Sequence, residues 1–91
     1  WCNDSSNKKY NKEINISKKI KHEKLFRRDY KYNYFIPIKY NYIKTIPNKG
    51  SAIFIHLTKN YKPTVGCIGL LEKDFKIIIK LMYKNTKIKI I

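Results

Sequence analysis

No apolar run in this chain approaches the roughly 20 residues that a transmembrane helix needs, and the N-terminus lacks the short apolar stretch of a signal peptide. A membrane span is therefore not expected. Targeting information is missing from the sequence, which starts at Trp1 rather than Met, as a processed product or a fragment would. Cysteine and histidine are also sparse, at two each. Cys2 and Cys67 could form one disulfide, act as separate thiols or join a metal site. Metal is the weakest of these readings, because only His22 and His56 could complete four ligands around two cysteines with 64 residues between them. Acids are scarcer still relative to bases: 6 Asp and Glu face 21 Lys and Arg, for a formal net charge of +15.

Such a charge raises the question of an anionic partner: nucleic acid, a membrane surface or a cell-wall polymer. Composition supplies a plainer answer. Nineteen of the 21 cations are Lys, and Lys, Ile, Asn and Tyr make up 52 of the 91 residues, as codon bias in an AT-rich genome would produce. Ninety-one residues make one small domain with a thin core. A hydrophobic fraction of 43% argues against wholesale disorder.

Along the chain, residues 1–21 are rich in Asn, Ser and Lys, with Ile14, Ile16 and Ile20 as aliphatic anchors, and read as loop with at most one short edge strand. Tyr34 to Ile38 is a β-rich run, and Pro37 places it at an edge or a bulge because proline cannot donate a ladder hydrogen bond. Tyr30, Tyr32, Tyr34, Tyr40 and Tyr42, at period two, read as the cover of a sheet face rather than as a stacking platform for sugars or bases. Ile46 to Gly50 has turn composition. It leads into Ser51 to Leu57, read as a seven-residue central strand with Ala52, Phe54 and His56 on one face and Ile53, Ile55 and Leu57 on the other. After a polar connection, Leu71, Phe75, Ile78 and Met82 fall at helical spacing, with Glu72 and Asp74 in the first turn, and predict a helix over about 71–84. Thr86 to Ile91 alternates Lys and Ile and reads as a closing strand.

Two residues are the candidates for chemistry. Cys67, between Gly66 and the pair Ile68 and Gly69, lies in a strand-to-helix region where a thiol can open on a cleft beside N–H groups aimed at a developing oxyanion. His56, eleven residues earlier at a strand end, could return beside it and activate the thiol. By spacing alone, such a pair is as consistent with packing as with catalysis. The wider context is more specific. Gly50-Ser51-Ala52-Ile53-Phe54-Ile55-His56, followed by Pro63-Thr64-Val65-Gly66-Cys67-Ile68-Gly69-Leu70, resembles the active-site signature of the L,D-transpeptidase catalytic domain, the YkuD-like family. Trp1-Cys2-Asn3-Asp4, Tyr10-Asn11, His22-Glu23, Leu25, Arg28-Asp29, Tyr32 and Tyr40-Asn41 resemble further landmarks of that subgroup, so the resemblance spans nearly the whole chain.

The resemblance implies a mainly β fold, a sandwich of the L,D-transpeptidase type with one helix after the nucleophile, as a single domain over residues 1–91 that lacks strands upstream of Trp1. It implies Cys67 as nucleophile, His56 as the imidazole that activates it, and the N–H groups of Gly66 and Cys67 as an oxyanion hole. The substrate would be the stem peptide of peptidoglycan, without cofactor, metal or nucleic acid, in the cell envelope. Thr64, Arg28 and Ser51 are candidate substrate contacts. Arg27 and Arg28 could hold a carboxylate, although solvated or ion-paired surface arginines are the commoner case. His22 beside Glu23 reads as a structural hydrogen bond before a second acid/base pair. Cys2 reads as a structural thiol. The better-known signature has Ser/Thr-His-Gly-Cys followed two residues later by Arg or Asn, where this chain has Val65 in place of the second histidine and Gly69 in place of the polar residue. The short interval from His56 to Cys67 implies a small lid over the cleft. Two other classes compete with the enzyme: a basic module that binds nucleic acid or a wall polymer through lysines and tyrosines, and an inactive remnant that keeps the signature.

Overall fold

The computed structural model describes residues 1–15 and 19–90. They form three short strands and one helix: β1 (Phe35–Pro37), β2 (Phe54–Leu57), β3 (Ile68–Leu70) and α1 (Glu72–Leu81). The architecture is mainly non-helical, with one helix after Cys67, in keeping with the β-type fold read from the sequence. The sheet order is β1-β2-β3. β1 runs antiparallel to β2 with Phe35 opposite His56, and β3 runs parallel to β2 with Gly69 opposite His56.

β2 is central because both of its faces are apolar, and all four of its residues are buried. On one face Phe54 and Ala52 pack with Trp1, joined by Leu25, Tyr32, Phe35, Tyr42 and Cys67. Trp1 meets Phe54 edge-on at 5.0 Å between ring centroids, and Tyr32 does the same at 5.8 Å. On the other face Ile55 and Leu57 pack with Phe75 of α1, joined by Tyr30, Ile36, Ile38, Ile68 and Leu70. Phe54 is wholly buried between several rings, so Phe54→Ala should lower the unfolding free energy by about 3–5 kcal/mol. Tyr83→Ala, on an exposed side chain, should change it by less than about 0.5 kcal/mol in the same denaturant titration.

Several boundaries differ from the sequence reading for local physical reasons. β2 starts at Phe54 rather than Ser51 because Ala52 adopts a left-handed backbone, φ 58°, which ends the extended run. Pro37 sits on the outer strand, where its missing N–H breaks no ladder. The Ile46 to Gly50 turn forms, with Asn48 at φ 63° and Gly50 at φ 122°. A Cβ at Gly50 would also lie 2.9 Å from the Tyr40 ring, so this turn requires glycine twice over. β3 was hidden by its brevity and by Gly69 within it. α1 is shorter than 71–84: its C-terminal turn closes with the Met82 N–H donating to Ile78 O, after which the backbone is extended. The predicted closing strand does not form over the described residues 86–90. Alternation supplies a face but no partner edge there. A turn with Thr86 N–H donating to Tyr83 O leads into that segment, and Ile90 stays 76% exposed.

The N-terminal segment contributes more than loop. Trp1, Cys2, Tyr10 and Asn11 are its buried residues, whereas Ile14 and Ile20 are half-buried and Ile16 lies outside the described residues. Cys2 forms an isolated antiparallel bridge with His22. The tyrosines divide between the two faces of the sheet: Tyr32 and Tyr42 on the Trp1 side, Tyr30 on the Phe75 side.

Candidate active site

β2 delivers His56 to the Trp1 face, and the chain that leaves β2 returns at residue 67 to enter β3 alongside it. The two residues line one cleft of about 700 Å³, together with Glu23, Arg27, Tyr32, Ser51, Thr64 and Val65 among others. Thus His56 and Cys67, eleven positions apart, are brought to one site by the parallel β2/β3 pairing. The connection's Pro63, Thr64 and Val65 form one wall, and Val65 is fully exposed, as a short lid would be.

His56 is buried, and its Nδ1 lies 2.8 Å from the backbone oxygen of Leu57. A carbonyl can only accept, so Nδ1 carries the proton and Nε2 is left as the basic nitrogen. This orienting partner could not be read from the sequence, because it is a backbone atom. The Tyr32 ring stands against the imidazole at 5.6 Å between centroids, tilted by 72°. Tyr32 donates to Glu23 Oε1 at 2.7 Å, and burial, reinforced by that bond, raises its hydroxyl well above the usual phenol range. Tyr32 therefore remains a neutral donor at any working pH.

Gly69 faces His56 across the ladder. A Cβ there would lie 3.3 Å from Cβ and Cγ2 of Thr58 and 3.8 Å from His56 Cε1. The position that carries Arg or Asn in the better-known signature is thus crowded here, and a bare glycine fits it.

Cys67 is half-buried, and both cysteines are unpaired thiols. The Cys67 thiol donates to Ala52 O at 3.2 Å. Thr64 lines the cleft and its hydroxyl donates to Cys67 O, which ties down the turn before β3. Gly66 has φ 86°, a conformation open to glycine. Among the described residues, the N–H groups of Gly66 and Cys67 donate to no protein acceptor. Ser51 lines the cleft and donates to Cys2 O at 3.0 Å.

The two arginines part company. Arg27 lines the cleft and also a smaller neighbouring hollow with Lys24, Phe26 and Asp29, whereas Arg28 lines that hollow and not the cleft. Arg27 is held by Asp29 at 2.6 Å and Glu23 at 3.4 Å, with its guanidinium 5.1 Å over the Tyr32 ring. His22 does not pair with Glu23; its Nδ1 lies 2.7 Å from Ile20 O.

Asp29 sits below its ordinary 3.8: desolvation is the largest single influence and pushes it up, but the Arg27 hydrogen bond, the Lys31 N–H and both their charges together outweigh it. Asp4 is lowered as well, chiefly by the Ser6 hydroxyl. A depressed carboxylate stabilises the fold above its unfolded value and loses that contribution as pH falls through the folded one. Thermal midpoints should therefore hold down to about pH 4.5 and decline below about pH 4. Asp29→Asn should flatten part of that decline, and a midpoint that rises on acidification would contradict the assignment.

Among the described residues no helix is long and apolar enough to cross a membrane. No match was found among curated proteins or among solved structures. The family model described as the L,D-transpeptidase catalytic domain, YkuD, matches residues 3–90. Its members are transpeptidases of peptidoglycan, typically associated with the cell wall. With the match running through the strand that bears His56, the loop that bears Cys67 and the segment that covers them, the chain belongs to the YkuD family of L,D-transpeptidase catalytic domains.

Proposed function

We propose that this chain is a cysteine acyltransferase of peptidoglycan stem peptides, acting in the cell envelope through a thioester on Cys67. The observation that carries this reading is the shared cleft in which His56, its Nδ1 proton committed to Leu57 O, keeps Nε2 as a base on the same wall system as the Cys67 thiol. In the first step Nε2 takes the thiol proton and the sulfur attacks the carbonyl carbon of the amide before a terminal D-alanine. The C–N bond breaks, and the proton passes from the imidazolium to the departing amine of D-alanine. The amine of a neighbouring stem then attacks the thioester and restores the thiol. If water attacks instead, the same site works as a carboxypeptidase.

The negative charge that develops on the carbonyl oxygen falls to the N–H groups of Gly66 and Cys67, whose freedom from protein acceptors suits them to it. Thr64 and Ser51 contact substrate from the cleft walls. Arg28, in the neighbouring hollow, reaches only a substrate portion that extends past Arg27. The test is release of free D-alanine from a disaccharide-tetrapeptide together with a cross-linked or trimmed product. Binding of the muropeptide without D-alanine release would overturn the reading.

A further inference from the structure

Asn11 is a polar side chain only 2% exposed, and every hydrogen-bonding group it has is used. Its Oδ1 accepts from Trp1 Nε1 at 3.0 Å and from the Ala52 N–H at 3.1 Å. Its Nδ2 donates to Tyr40 O at 2.9 Å and Asn41 O at 2.6 Å. Three separate stretches of chain therefore meet at one amide. Ala52 is the stretch next to the site, and it is held at φ 58°, a backbone that alanine adopts only at some expense. That twist separates two successive carbonyls. Ile53 O stays in the sheet and accepts from Ile38 N–H at 2.9 Å, while Ala52 O leaves it and accepts from the Cys67 thiol.

We infer that Asn11 is a positioning residue for Cys67: by clamping Ala52 in its left-handed turn, it aims the Ala52 carbonyl at the sulfur and fixes where the thiol rests. The link runs Trp1, Asn11, Ala52, Cys67, from the buried N-terminus to the cleft. Its sense is specific. A carbonyl that accepts from S–H holds the sulfur still. Loss of the clamp should therefore free the sulfur toward a small reagent while spoiling its aim at a large substrate. The inference rests on the proposed function only in taking Cys67 as the nucleophile.

The experiment compares Asn11→Ala with the parent by two readouts, iodoacetamide labelling of each cysteine at pH 7 and acyl-adduct formation from a disaccharide-tetrapeptide. Cys2, wholly buried, reports unfolding, since it labels only when the core opens. With Cys2 protected, Cys67 should label about three- to tenfold faster, the scale of one lost hydrogen bond, while acyl-adduct formation falls at least tenfold. A Cys67 labelling rate that is unchanged or slower overturns the inference. If Cys2 labels, Trp1→Phe decides instead: it keeps a ring against Phe54 but removes the Nε1 donor that holds the Asn11 amide in place. It should speed Cys67 labelling about twofold or more with Cys2 protected, and a parental rate would overturn the inference. Should the parent itself form no adduct, the proposed function fails, while the labelling comparison still decides the role of Asn11.

Discussion

Cys67→Ser should abolish acyl transfer, with a loss of at least about 10³-fold in D-alanine release. Serine preserves the size of the side chain and can still donate to Ala52 O, so the fold and the resting geometry should persist. What disappears is a nucleophile whose conjugate base is accessible near neutral pH, since a hydroxyl holds its proton far more tightly than a thiol does. Cys2 cannot substitute, because it is wholly buried on the far side of the Ser51 contact. A Cys67→Ser protein with the parental unfolding midpoint and parental turnover would place the chemistry elsewhere.

The second large effect belongs to His56. His56→Gln should lower acyl-adduct formation by about 10²- to 10⁴-fold, the usual contribution of a positioned base. Glutamine can still donate an N–H to Leu57 O, so it tests basicity rather than the loss of a packed ring. His56→Ala removes both. It also deletes the partner of Tyr32 and leaves a void in the buried strand. Labelling of Cys67 at mildly acidic pH should slow about tenfold in both variants if the imidazole takes the thiol proton. Equal labelling in parent and variants would mean that His56 is a packing residue.

The parts of this site that could be read from the sequence are those encoded by local pattern. Ala52, Phe54 and His56 alternate with Ile53, Ile55 and Leu57, so the face that His56 shares with Phe54 followed from the period of a strand. Pro37 announced an edge, and Phe75 announced the buried side of α1. That His56 and Cys67 line one cleft was expected from the joined motifs around them. What escaped was nonlocal. The left-handed turn at Ala52 depends on an acceptor 41 positions away, at Asn11, and alanine gives no hint of such a backbone. Trp1 and Asn11 lie in a segment that reads as loop, because a run of Asn, Ser and Lys masks the few side chains that become core. The alternation after Thr86 misled for the converse reason: period two describes a surface, and a strand also needs a neighbour.

Basic side chains reach the cleft. Lys21, Arg27 and Lys31 stand there with Glu23, and Arg27 is already engaged by Glu23 and Asp29. A stem-peptide carboxylate that approached Arg27 would exchange with those partners, as in a charge network whose exposed members are each worth little.

The most direct measurement is the intact mass of the protein after incubation with a disaccharide-tetrapeptide, followed by mapping of the modified peptide. If Cys67 is the nucleophile, the protein should gain the mass of the muropeptide less D-alanine, carried as a thioester on Cys67, absent from Cys67→Ser and slowed in His56→Gln. A parental protein that stays unmodified while the muropeptide is consumed, or that carries the adduct on any other residue, would contradict it.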